Sequence, residues 1–199
     1  REVFDFTGKI IFPGLIDSHA HVTYCGDFFS GSRTAASGGV TTLVEMPQSG
    51  HLPSVFDKGV LSGRIASIHE ESVVDCALYG GVRAGQLEHI EELVKAGVAA
   101  FKVFLSDAGD YGSFDDASLL TLLQASHRYH CLVAAHAESQ PICAMETKRM
   151  TDAQKGAEGN SGSRPVISEI LAVTRLCTLA LHEHARVSIC HISSRQVAG

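Results

Sequence analysis

These 199 residues carry no excess of positive charge: 16 Lys and Arg stand against 22 Asp and Glu, a formal net charge of -6 with histidine neutral. A nucleic-acid-binding surface, which needs a basic patch to neutralise phosphates, is therefore not expected. No apolar run is long enough to cross a bilayer. None of the six cysteines (25, 76, 131, 143, 177 and 190) forms a CxxC pair, and several lie in apolar runs such as Val187-Ser188-Ile189-Cys190. That usage points to reduced, buried thiols in a cytoplasmic protein rather than to a disulfide framework. A GxGxxG stretch after the first strand is also missing, which counts against a dinucleotide-binding sheet.

What is present is an ordinary globular composition, 45% apolar and 19% charged, in a chain long enough for one domain with a large core. Short, β-branched apolar runs alternate with longer helical stretches. Strands are predicted over Ile10–Ile16, Val40–Met46, Val73–Tyr79, Val98–Leu105, Cys131–Ala135 and Val187–Ile192. Helices are predicted over Phe28–Ser37, Ser54–Glu70, Gln86–Ala96, Asp116–His130, Ser139–Lys155 and Pro165–His184, with Gly38-Gly39, Gly80-Gly81 and Gly97 marking helix ends and turns. Strands apolar nearly throughout and separated by helices imply a parallel α/β sheet with right-handed crossovers. An open doubly wound sheet and a closed (β/α)8 barrel both fit. A barrel needs eight units and about 250 residues. The chain starts without Met and stops after a sixth strand, so the expectation is a fragment holding about six βα units.

Active sites of such barrels lie at the C-terminal strand ends. Strand one runs into Asp17-Ser18-His19-Ala20-His21; alternation puts both imidazoles on one side, where they can share a divalent metal. Strand four, Ala99-Ala100-Phe101-Lys102-Val103-Phe104-Leu105, carries a lysine that is costly to bury as a cation. Desolvation makes such an amine neutral and reactive, unless it snorkels to the strand end. His136 ends strand five and His191 strand six. One histidine near a strand end is more often structural than a ligand. Four histidines and a buried lysine at four strand ends are a different matter. Asp17 and Glu138 are candidates to orient these ligands, with a plain structural hydrogen bond as the alternative. Histidines 51, 69, 89, 127, 130, 182 and 184 lie on helices or loops and are read as structural, Arg164 as a loop anchor, Asp107 and Asp110 as a solvated turn, and Ser193 and Ser194 as caps of a following helix.

Pro13-Gly14-Leu15-Ile16-Asp17-Ser18-His19-Ala20-His21 resembles the PGxIDxHxH opening of the cyclic amidohydrolases: allantoinases, hydantoinases (dihydropyrimidinases) and dihydroorotases. Gly31 to Thr42, Phe101-Lys102-Val103-Phe104, His136-Ala137-Glu138, Ser163-Arg164-Pro165 and His191-Ile192-Ser193-Ser194 follow in that family's order. The resemblance implies a metal-dependent hydrolase of the TIM-barrel type, with residues 1–11 the end of a small N-terminal β domain and 12–199 the barrel through strand six. It implies two divalent ions (Zn, or Mn, Co or Ni), with His19 and His21 on one, His136 and His191 on the other, and a carbamylated Lys102 bridging them. It implies ring opening by metal-bound hydroxide. The general-base Asp is expected beyond residue 199, so this chain alone is expected to be inactive, and the whole protein to be a cytoplasmic dimer or tetramer.

Within the family, dihydroorotases resemble one another in an Arg two residues after the second His; here that residue is Thr23. Hydantoinases usually carry a Tyr five residues after the bridging Lys. Here that residue is Asp107, and Tyr111 is displaced. Glu45-Met46-Pro47 with Leu52-Pro53-Ser54, and Ser163-Arg164-Pro165-Val166 with Glu169, look most like allantoinase. The substrate implied is allantoin, opened to allantoate in purine catabolism. Hydantoinase, dihydropyrimidinase or dihydroorotase-like activity is the alternative, and an inactive amidohydrolase-like scaffold is the non-enzyme one.

Overall fold

In the computed structural model, which describes residues 2–24, 26–153, 156 and 158–198, six parallel strands follow one another in the order of the sequence. They are β1 (Leu15–Ala20), β2 (Val40–Glu45), β3 (Asp75–Gly81), β4 (Ala100–Phe104), β5 (Leu132–His136) and β6 (Arg186–Ile189). Helices α1 (Phe28–Ser37), α2 (Lys58–Glu71), α3 (Ile90–Lys95), α4 (Asp116–Tyr129), α5 (Gln140–Asp152), α6 (Glu158–Gly162) and α7 (Val166–Glu183) connect them, and a short α8 (Arg195–Ala198) follows β6. Cys25 and Lys155, the predicted end of the fifth helix, lie outside the described residues.

The sheet curls. Five steps of about 4.8 Å would hold β1 and β6 roughly 24 Å apart in a flat sheet. Instead the rings of His19 and His191, at the C-terminal ends of these two strands, have centroids 5.7 Å apart. Successive neighbour-to-neighbour strands that bend round until the first meets the last form the wall of a barrel. Period-two alternation gives this wall two faces. On the outer face Leu78, Phe101, Val103, Val133 and Ala135 pack under the helices with Leu119, Leu122 and Leu176. On the inner face Met46, Tyr79, Ala100, Ala134 and Cys190 form a second, smaller cluster. Asp27, Asp57 and Asp115 cap α1, α2 and α4 by accepting the N–H of Ser30, Val60 and Ser118.

Several boundaries differ from the predicted ones, each for a local reason. The first strand begins at Leu15 rather than Ile10, where the Leu15 N–H reaches the Gly39 carbonyl at 2.9 Å. Just before it Gly14 crosses Thr41 so closely that a Cβ would lie 2.0 Å from Oγ1, so only glycine fits. Residues 2–14 form one turn, closed by Lys9 N–H on the Phe6 carbonyl, and no strand. The predicted start of α2 is extended chain, because Val55 donates to the Pro47 carbonyl and accepts from the Gly81 N–H; the helix waits for its Asp57 cap. Gln86 donates to the Arg83 carbonyl in a turn, which delays α3 to Ile90. Gly80 and Gly81 are not a turn but the last residues of β3, where a Cβ would press at 2.9 Å on Phe101 and on Phe56 respectively.

Candidate metal centre

The inner face of β4 presents Ala100, Lys102 and Phe104 in alternation. Lys102 pairs in register with Gly81 on β3 and Ala134 on β5, so its long side chain stands between two of the smallest residues available. It is 1% exposed. Snorkelling to solvent is therefore not what this lysine does. Among the described residues no carboxylate lies within ion-pair distance of Nζ, which sits 4.9 Å from the Phe104 ring centroid. Burial pushes the ammonium pKa down, opposed by the neighbouring Cys190 thiol.

Histidines surround this amine at the open end. The His19 and His21 rings have centroids 5.4 Å apart, and those of His136 and His191 4.7 Å. Half burial, the Lys102 charge and the imidazoles of His21 and His191 hold His19 down to about 4, against a smaller opposing pull from Asp17. Burial, then His136 and Lys102, lower His191 too. Both rings are neutral near pH 7 and keep a lone pair for a ligand role. His136 Nε2 lies 2.5 Å from the Glu138 carboxylate, which also pairs with Arg164. A carboxylate there accepts a hydrogen bond from Nε2–H, the tautomer that leaves the Nδ1 lone pair free. That Nδ1 faces His191 Nε2 at 3.3 Å.

As they stand, no three His, Cys, Asp or Glu side chains among the described residues converge tightly enough to hold an ion. The histidine rings instead run as a chain of neighbours, His21 to His19 at 5.4 Å, His19 to His191 at 5.7 Å and His191 to His136 at 4.7 Å. The donor set suits a divalent cation in the first pair and another in the last. Two imidazole nitrogens bound tetrahedrally at about 2.1 Å stand about 3.4 Å apart, close to the 3.3 Å between His136 and His191. The same pair lines a cavity of about 50 Å³ with Glu138, Glu169, Cys190 and Ser193, large enough for an ion or a water.

Two further carboxylates hold the segments that carry these rings. Glu45, at the end of β2 and fully buried, accepts from Val22 N–H (2.8 Å), Thr23 N–H (3.1 Å) and the Thr23 hydroxyl (2.7 Å). The buried Arg64 donates to the Thr23 oxygen and to the Pro53 carbonyl. Glu169, in the first turn of α7, accepts from Ser193 N–H (3.0 Å) and the Ser193 hydroxyl (2.5 Å). It thereby steadies a loop in which His191 holds a left-handed φ of 41°. Sequence reasoning assigned no role to Glu45 or Glu169. The available signal was an acid closing an apolar strand, and an acid just inside a helix that follows Arg-Pro.

The remaining candidates fall as follows. The Asp17 carboxylate accepts the His19 backbone N–H at 3.0 Å instead of a ring proton. Its pairing with Leu43, while Ala20 pairs with Glu45, places one extra residue on β1 and breaks the simple alternation from Asp17 to His19. Ser193 is engaged by Glu169, and the Ser194 hydroxyl is buried without a partner among the described residues, so neither side chain caps α8; the turn bonds to the Ser194 carbonyl. Asp107 and Asp110 are exposed. Tyr111 packs on Phe56 and Phe104 (centroids 4.7 and 4.9 Å), and Phe104 stacks on His136 at 5.4 Å, giving the site an apolar wall. Burial pushes the Tyr111 phenol up to about 12. His127, His130 and His184 gather at the C-termini of α4 and α7, the far end of the strands.

No family model matches the chain. Among curated proteins it is 36% identical to an allantoinase of Solibacter usitatus over 195 residues, covering 94% of this chain and 42% of that protein. It is 35% identical to an allantoinase of Rubrobacter xylanophilus, covering 98% and 44%. Among solved structures it superposes on the L-hydantoinase (dihydropyrimidinase) of Arthrobacter aurescens with a TM-score of 0.88 at 27% identity, covering 96% of this chain and 44% of that one. A D-hydantoinase gives 0.83 at 28% identity. The chain spans less than half the length of these relatives. In sequence and in fold alike it resembles the cyclic amidohydrolases, the group of the allantoinases and hydantoinases, through the first six strands of their barrel.

Proposed function

We propose that the protein carrying this chain hydrolyses the ring amide of a small cyclic substrate, most specifically allantoin to allantoate. The observation that carries this reading is a fully buried lysine without an acidic partner, ringed by four imidazoles from three strands. His19 and His21 would hold one divalent ion and His136 and His191 a second, with zinc the first candidate and manganese, cobalt or nickel alternatives. Bound there, two such ions supply Lewis-acid polarisation of the scissile carbonyl and an acidified water as nucleophile.

The chain's own residues prepare that site. Lys102, whose charged form burial disfavours, adds as the free amine through Nζ to the carbon of carbon dioxide: a C–N bond forms, one C=O π pair becomes an oxyanion, and an amine proton leaves to solvent. The product is a carbamate, an anionic oxygen donor where a cation was costly. Glu138, accepting from His136 Nε2–H, favours the tautomer whose free Nδ1 faces His191 Nε2. Phe104 and Tyr111 exclude water from one flank, which strengthens charge interactions inside.

The names of the curated relatives favour allantoin. The hydantoinase structures favour a broader hydantoinase or dihydropyrimidinase reading. A panel of allantoin, substituted hydantoins, dihydrouracil and dihydroorotate, tested on the full-length protein, separates them. Preferred turnover of allantoin is expected. Preference for dihydrouracil overturns the substrate and keeps the chemistry. A full-length, metal-saturated protein with an unmodified Lys102 and fewer than about half an ion per chain overturns the reaction and favours the scaffold alternative.

A further inference from the structure

Resting on the two-cation reading above, we infer that Glu45 and Glu169 are positioning residues, each setting the affinity of one cation subsite through the backbone that follows its histidine. The structure uses one device twice. Two residues after His21 stands Thr23, and two residues after His191 stands Ser193. In each case both the N–H and the hydroxyl of that residue donate to a single carboxylate brought from elsewhere in the fold: Glu45 of β2 for the first, Glu169 of α7 for the second. Glu45 and Thr23 are wholly buried and Glu169 nearly so, 9% exposed.

Neither carboxylate is within hydrogen-bond distance of an imidazole. Each instead holds the chain just past the strand end: the first clamp begins at Val22, next to His21, and the second at Ser193, two residues beyond His191. In the first clamp the Ala20 carbonyl also accepts from Met46 N–H at 2.8 Å, so β1 and β2 are locked on both sides of His21. In the second, the left-handed His191 has no glycine-like freedom to hold its own conformation, and the carboxylate on Ser193 supplies the restraint. A freed loop lets its ring swing. A ligand that must be fixed on binding pays that ordering in affinity, and outer-shell partners of metal ligands are typically worth 10–100-fold.

The test uses the full-length protein loaded with Zn²⁺, dialysed against graded chelator, with retained zinc counted by mass spectrometry and folding followed by thermal melting. E45Q and E169Q are each expected to lose one of two ions at about 10–100-fold lower chelator strength, the double variant both, and the exposed control E91Q neither. In an H136A background E45Q is expected still to weaken the ion that remains, and E169Q to leave it unchanged. Should a Gln variant melt too early, T23V and S193A remove only the hydroxyl bond and are expected to shift the same ion by a smaller factor. Two ions retained within threefold in all four variants at unchanged melting temperature overturn this inference alone. A parent protein that binds no ion pair overturns this inference and the proposed function together.

Discussion

Replacing Lys102 by methionine is the sharpest test of whether this residue exists for chemistry or for the fold. Lys102 is 1% exposed and, among the described residues, its Nζ has no carboxylate within ion-pair distance. Burying one ion costs several kcal/mol even after local relaxation. Against that stands the Phe104 face 4.9 Å from Nζ, a cation–π contact worth about 0.5–2 kcal/mol. His19 and His191 supply no compensating charge, since both rings are held neutral, in part by the cation itself. Methionine is unbranched, uncharged and one atom shorter, and Gly81 and Ala134 beside it leave room for its sulfur. A net gain of about 2 kcal/mol in the metal-free protein follows. For a chain of this size that is about 4–8 °C in melting temperature. The assay is thermal melting of metal-free parent and K102M in parallel with zinc content after reloading. K102M is expected to melt higher when metal-free and to hold less zinc when loaded. A metal-free K102M that melts below the parent would refute the argument, because Lys102 would then be a net stabiliser.

Other outcomes follow from the packing. Phe101, fully buried between sheet and helices, is expected to cost about 3–5 kcal/mol on truncation to alanine, read as a lower urea midpoint. Gly80→Ala, whose Cβ would lie 2.9 Å from the Phe101 ring, is expected to cost about 1–3 kcal/mol by overpacking; relief in the F101L background, with coupling seen in a double-mutant cycle, checks the cause. Asp57→Ala removes the cap bond to Val60 N–H at 2.9 Å and is expected to cost about 1 kcal/mol. Burial raises the thiol pKa values of Cys76 and Cys131 above 9.0, so both should resist alkylation at pH 8 until the protein unfolds. The sign for stability is that of an acid with a raised folded pKa: their contribution is intact below the unfolded value of about 9 and is lost as pH rises through and above it.

Much of the architecture was legible because short-range patterns decide it. Helix α1, Phe28–Ser37, was predicted with its observed ends, since Asp27 and Ser30 form a capping box and Gly38-Gly39 stops the chain, all within a dozen residues. β4 stood out because Lys102 interrupts an otherwise apolar strand. The errors lie where a distant contact overrules the pattern. Ile10 to Phe12 have strand composition but no partner strand among the described residues, so the sheet starts only where Gly39 offers a carbonyl to Leu15. Gly80 and Gly81 read as turn residues, yet Phe101 and Phe56 press against a strand there.

The same physics explains which half of the candidate site could be read in advance. A metal ligand announces itself because histidine at a strand end, or lysine in an apolar run, is chemically out of place. A clamp does not. Glu45 and Glu169 mark a family resemblance in the sequence but show no role there until the fold carries them to residues 22 and 24 positions away, and Thr23 and Ser193 show none until both their protons are spoken for. The cost of misplacing them is nonetheless large: a buried carboxylate without its donors, or buried N–H groups without their acceptor, forfeits about 1–3 kcal/mol for each unsatisfied group. Residues that bind by their own chemistry are visible in one dimension. Residues that act by completing someone else's hydrogen bonds become visible only in three, and in this chain they decide whether the histidines stand in an ordered row or on loose loops.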